Sequence, residues 1–86
     1  MKKLIEEVQG EGLEALLGEQ VTLLCVNYFY TGKLVGVNTT CVKLEEPKII
    51  YETGAWDKKD WADAKSLHAQ YLYVQTSAIE SFGVLK

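Results

Sequence analysis

The residues able to do covalent or metal chemistry are few and scattered. His68 is the one histidine of the 86-residue chain, so any Ser–His–acid triad has to be built on it. Ser66 lies two residues away, yet the spacing gives no reason for a base, a nucleophile and an oxyanion hole to meet. A histidine in a polar segment reads as a surface residue. One histidine and the separated Cys25 and Cys41 do not make a zinc set. Asp57, Asp60 and Asp63 fall at i, i+3 and i+6, which a helix would gather along one side, where a hydrated Mg²⁺ could bind weakly. A solvated acidic face with Asp57 as helix cap is the more economical account. Gln9-Gly10-Glu11-Gly12 lacks the lysine and the preceding strand of a phosphate loop. The expectation is a non-enzymatic protein with no cofactor and no metal.

The aromatic residues offer different chemistry. Two Trp, five Tyr and two Phe are potential stacking platforms for bases, although core and interface packing accounts for most such residues. Tyr28, Phe29 and Tyr30 alternate between both faces of one segment, and Tyr71 and Tyr73 share a face of another. Trp56 and Trp61 stand in a polar stretch, where they are expected to cover an open end of the fold or a neighbouring subunit.

Charge and cysteine usage narrow the choice of partner. Nine cations against twelve acids give a net charge of -3, and every cation is a lysine. General nucleic-acid binders rely on a basic surface and on the planar fork of arginine, so any such binding here must be local. No apolar run approaches the ~20 residues of a membrane span. The start, Met1-Lys2-Lys3-Leu4-Ile5-Glu6-Glu7, turns acidic where a signal peptide stays apolar. Two cysteines inside apolar runs read as free thiols in a reducing compartment, and the expected location is cytoplasmic. Asn38-Thr39-Thr40 matches a glycosylation sequon that, without an export signal, carries no weight.

These groups must be positioned by one small domain, since a chain of this length supports a single core. Leu4, Ile5 and Val8, then Leu13, Leu16 and Leu17, recur at helical spacing. Gly10 and Gly12 interrupt the stripe, which leaves a helix over 11–17 with Gly18 as a left-handed cap. From Val21 the pattern becomes strand: 21–26, then 28–37 with Gly32 and Gly36 inside it as bending points. Asn38-Thr39-Thr40 forms a turn, and a third strand starts at Cys41, is bulged by Pro47 and continues through Tyr51. The polar stretch 54–68 reads as a variable loop or a short helix from Asp57 to Leu67. Tyr71–Gln75 and Ile79–Leu85 are the last two strands, separated by Thr76-Ser77-Ala78. One helix and five short, bent antiparallel strands make a mainly β, SH3-type small barrel. Its first and last strands leave unpaired edges, and edges of this kind seek partners. An edge that pairs with a different edge of an identical copy generates a ring when the rotation closes.

Gly32-Lys33-Leu34-Val35-Gly36-Val37-Asn38 resembles the first motif of Sm and Sm-like (LSm, Hfq-related) proteins, a Gly-x-Leu-x-Gly-apolar stretch ending in a loop acid. Val74-Gln75-Thr76-Ser77-Ala78-Ile79 resembles their second motif, apolar-Arg-Gly-polar-x-apolar. The resemblance runs from Leu13 to Leu85. It assigns 21–53 to the first-motif strands, 54–68 to an enlarged variable loop and 69–85 to the second-motif strands. It implies a bent five-stranded barrel whose fourth and fifth strands pair between copies in a homo-oligomeric ring, with RNA bound at the pore. The family's loop acid falls on Asn38, its stacking aromatic on Thr40, the asparagine that follows on Val42, and its arginine and glycine on Gln75 and Thr76. The RNA-binding positions the resemblance implies are therefore Asn38, Thr39, Thr40, Gln75 and Thr76, which offer hydrogen bonds in place of a stacked ring. A structural or protein-interaction ring that never contacts nucleic acid is the alternative, and the absent arginine and lost pocket favour it.

Overall fold

The computed structural model describes residues 12–85. Six strands form one antiparallel sheet: β1 (Gln20–Cys25), β2 (Phe29–Val37), β3 (Cys41–Glu52), β4 (Asp63–Ser66), β5 (Tyr71–Gln75) and β6 (Ile79–Gly83). The strand order is β4-β3-β2-β1-β6, and β5 also pairs with β3. β3 is twelve residues long and holds both partners on one edge. Its first half pairs with β5, from Cys41↔Gln75 to Glu45↔Tyr71, and its second half pairs with β4, from Lys48↔Ser66 to Glu52↔Asp63.

The alternation of apolar residues decides which face is covered. Val21, Leu23, Cys25, Leu34, Val42, Leu44 and Val74 form the buried core, with Leu13, Leu16, Tyr30, Val37, Leu72 and Ile79 packed around it. The strands bend where the sequence places glycine and proline. Between Thr31↔Lys48 and Lys33↔Glu45 the register of β2 against β3 shifts, because β3 carries one extra residue at Glu46-Pro47. Glu46 there sits at φ 50° and donates its N–H to the Gln70 carbonyl at 2.9 Å, so the bend is tied to the chain that joins β4 to β5. Gly32 lies directly across from it. A Cβ on Gly32 would stand 3.1 Å from the Leu44 Cβ and 3.2 Å from the Glu45 carbonyl oxygen, closer than side chains normally pack. Pro47 thus bulges β3 as expected.

Two expectations are corrected. The helix over 11–17 is a single 3-10 turn, η1 (Leu13–Leu16). It is flanked by Gly12 at φ 84° and Gly18 at φ 90°, which stop a longer helix at both ends; Gly18 is left-handed, as its cap role required. Glu11, and the earlier stripe of Leu4, Ile5 and Val8, lie outside the described residues. Of the variable loop or short helix expected over 54–68, residues 54–62 are loop and no helix forms. Asp63–Ser66 instead forms β4, so the sheet has six strands. Pairing along Lys48–Glu52 supplies the backbone partners that outweigh local helical spacing.

Cys25 is buried and Cys41 half-buried, both as free thiols. Burial, helped by the charge of Glu80, pushes the Cys25 thiol above its usual 9.0. Burial, then Cys25, Tyr28 and Tyr51, pushes the Tyr30 phenol above its usual 10.0. In both cases the folded state holds its proton more tightly than the unfolded chain. Their contribution to stability is therefore complete below about pH 9 and falls as pH rises through the raised values. Urea unfolding midpoints should stay level from pH 7 to about pH 9 and then decline, with a shallower decline for Cys25→Ala. A midpoint that rises above pH 9 would contradict this burial.

Candidate nucleic-acid interface

The β2–β3 turn is held by one side chain. The Asn38 Oδ1 accepts hydrogen bonds from the N–H of Thr40 at 2.8 Å, the N–H of Cys41 at 2.8 Å and the Thr40 hydroxyl at 3.0 Å. This is the Asx turn for which asparagine is chosen, its side chain replacing a backbone partner. Asn38 therefore fixes the loop, and its carbonyl is already engaged.

A second turn docks against the first. After β5 the chain makes a 3-10 turn, η2 (Thr76–Ala78). The Thr76 N–H donates to the Thr40 carbonyl at 2.9 Å, and its hydroxyl donates to the Thr39 carbonyl at 3.1 Å. Gln75 pairs with Cys41 one step away. All five positions named from sequence, Asn38, Thr39, Thr40, Gln75 and Thr76, therefore meet at one end of the β3–β5 ladder. Thr39, Thr40, Gln75 and Thr76 line an open cleft of about 550 Å³ together with Tyr73 and Ser77. This falls within the roughly 300–1,000 Å³ of small-ligand sites.

Tyr73 is the residue that sequence reading did not assign to the site. It is 62% exposed, lines the cleft, and with Gln75 also lines a smaller recess of about 260 Å³ beside Cys25, Tyr28, Tyr30 and Val74. A cation stands beside it. The Lys43 Nζ lies 4.0 Å from the centre of the Tyr71 ring and 5.7 Å from that of Tyr73, within cation–π range of both. The signal was present in the sequence: Tyr71, Tyr73 and Gln75 alternate, so they share one face of a strand. Only the register Lys43↔Tyr73 and Cys41↔Gln75 joins that face to the β2–β3 turn.

The remaining groups do not join this cleft. Trp56 and Trp61 meet edge to face at 5.9 Å and 85° in the segment between β3 and β4. Trp61 borders a separate cleft of about 400 Å³ with Gln20, Thr31 and Lys48. His68 and Ser66 are close, the Ser66 hydroxyl accepting the His68 N–H at 3.1 Å, but this is a turn contact between backbone and side chain. Among the described residues no group of three His, Cys, Asp or Glu is placed to hold a metal ion, and no helix is long and apolar enough to cross a membrane. The chain matches no family model, no curated protein and no solved structure.

Proposed function

We propose that the chain is an Sm-like protein whose sheet closes as a small barrel, which assembles with identical copies into a ring and binds single-stranded nucleic acid, RNA foremost, at the cleft between the β2–β3 turn and η2. The observation that carries the reading is the docking of these two turns through Thr76. It brings the five positions implied by the two sequence motifs to one place and adds an exposed tyrosine. Thr40, Gln75 and Thr76 supply hydrogen bonds to a base edge or sugar, while Tyr73 supplies a π-face that any base can use. Assembly is supported by the sheet edges. β5 pairs only with β3 and β6 only with β1 among the described residues, and each is five residues long. The free edge of one copy is therefore a matched length for the free edge of the next, the heterologous contact that rings require.

The net charge of -3 and the absence of arginine favour a second reading, a ring that scaffolds proteins. Titration of short labelled oligo(U) and oligo(A) at low and moderate salt separates the two. On the nucleic-acid reading, affinity falls steeply with salt and is weakened by Gln75→Ala and by Thr40→Ala. Absence of binding at low salt leaves the scaffold reading. A stable monomer by native mass spectrometry at micromolar concentration overturns the ring in both.

A further inference from the structure

We infer that the outer face of the β3–β5 ladder continues the nucleic-acid site beyond the cleft, with Tyr73 and Tyr71 each stacking one of two successive bases and Lys43 neutralising the phosphate between them. The inference rests on nucleic-acid binding at the adjoining cleft.

Pairing fixes the direction of the side chains. Cys41, Lys43 and Glu45 oppose Gln75, Tyr73 and Tyr71, and residues opposite one another share a face. Their neighbours Val42, Leu44 and Val74 point the other way into the core. The outer face therefore presents two tyrosines in a row, 62% and 37% exposed, next to the cleft. Residues i and i+2 on a strand stand about 6.6–6.8 Å apart, roughly twice the 3.4 Å rise of stacked bases in a duplex. Two successive bases can lie on these rings only if they are unstacked from each other, which single strands allow and duplexes do not.

Lys43 is held where it is needed. Its stem runs over Gly36, where a Cβ would stand 3.2 Å from the Lys43 Cβ and 3.8 Å from its Cδ. The missing side chain leaves a lane along which the ammonium reaches the tyrosine rings. Among the charged groups on this face Glu45 opposes Tyr71 on β5 and Lys33 on β2, so a carboxylate and an ammonium stand together at the far end of the row. Along this row the strand meets the two tyrosines and then the polar group of Thr40, Gln75 and Thr76. A chain with net negative charge binds here by stacking at a local cation, without a basic surface.

The test is anisotropy of labelled oligo(U) with the full chain, alongside circular dichroism and native mass of every variant. Tyr73→Ala and Tyr71→Ala should each weaken binding about 5- to 100-fold, while Tyr73→Phe, which keeps the π-face, restores it. Lys43→Gln should lower the slope of log affinity against log salt by about 0.7, the share of one phosphate on a single strand. Tyr51→Ala, an exposed tyrosine on the second half of β3, should leave binding unchanged. If the wild type binds and Gln75→Ala weakens it, but both tyrosine variants bind as the wild type does, the cleft reading stands and the tyrosine row is excluded. If Tyr73→Ala alters the assembled mass while affinity per assembled copy is kept, the row belongs to a subunit contact and the inference falls. If the wild type binds no oligonucleotide, both fall together.

Discussion

Leu44→Ala should cost about 2–5 kcal/mol of folding stability, the range for emptying a buried leucine position. Leu44 is fully buried and stands where three strands meet, opposite Leu34 on β2 and Leu72 on β5. Its side chain cannot be replaced by a small shift of one neighbour, because both neighbours are held in ladders. A domain of this size has only about 5–15 kcal/mol in all, so a large share of its stability depends on this position. Each kcal/mol moves the melting temperature by roughly 4–8 °C in a chain of this length. Thermal denaturation followed by circular dichroism should therefore show a fall of roughly 8–40 °C for Leu44→Ala. Val35→Ala, at a position 37% exposed on the bulge of β2, should differ little from the wild type. Equal, small shifts for the two variants would mean that Leu44 is not central to the core.

Gly32→Val should be nearly as damaging, for the opposite reason. The added Cβ would meet the Leu44 Cβ at 3.1 Å, the Glu45 carbonyl at 3.2 Å and the Pro47 Cα at 3.4 Å, and two methyls would follow it. Two of these three contacts are backbone atoms at the bulge, which cannot swing aside. Overpacking of this kind costs about 1–3 kcal/mol and sometimes more. It should also loosen the β3 bend, so that amide exchange speeds up at Glu46 and Leu67, whose N–H groups bond across the bend to Gln70 and Pro47. Gly83→Ala is the informative comparison, since its Cβ would meet only the Leu85 side chain at 3.7 Å, an ordinary contact. Chemical denaturation that ranks Gly83→Ala at or below Gly32→Val in stability would contradict the close approach of β2 and β3.

Most of the strands were legible because their signals are local. The run of strand-forming residues from Val21, the paired glycines of β2, the Asn38 turn and the proline in β3 each act within a few residues, and each appears where expected. β4 was not legible. Asp63-Ala64-Lys65-Ser66 has no strand signature and holds its conformation through its partner on β3, so its identity depends on residues more than ten positions earlier. The short 3-10 turn at Leu13–Leu16 was overestimated as a helix, since apolar spacing survives in η1 while Gly12 and Gly18 deny it length. The five loop positions were named from motifs and do come together, but the part each can take depends on bonds invisible in the sequence. Asn38 has its carbonyl engaged in the turn, Thr76 clamps two loops, and the aromatic ring enters from β5 through the Lys43↔Tyr73 register.

The β1–β6 ladder joins segments from opposite ends of the described chain, with Thr22 opposite Gly83 and Leu23 opposite Phe82. Among the described strands every other pairing except β3–β5 links consecutive strands. Closing a long loop is entropically slow, and contacts distant in sequence are rewarded late. During synthesis β6 also follows the five other described strands out of the ribosome. The β1–β2–β3 meander therefore has to wait with Leu23 and Cys25 uncovered along its first edge until Ile79 and Phe82 arrive, and that interval is when a nascent chain is most exposed to capture by a chaperone.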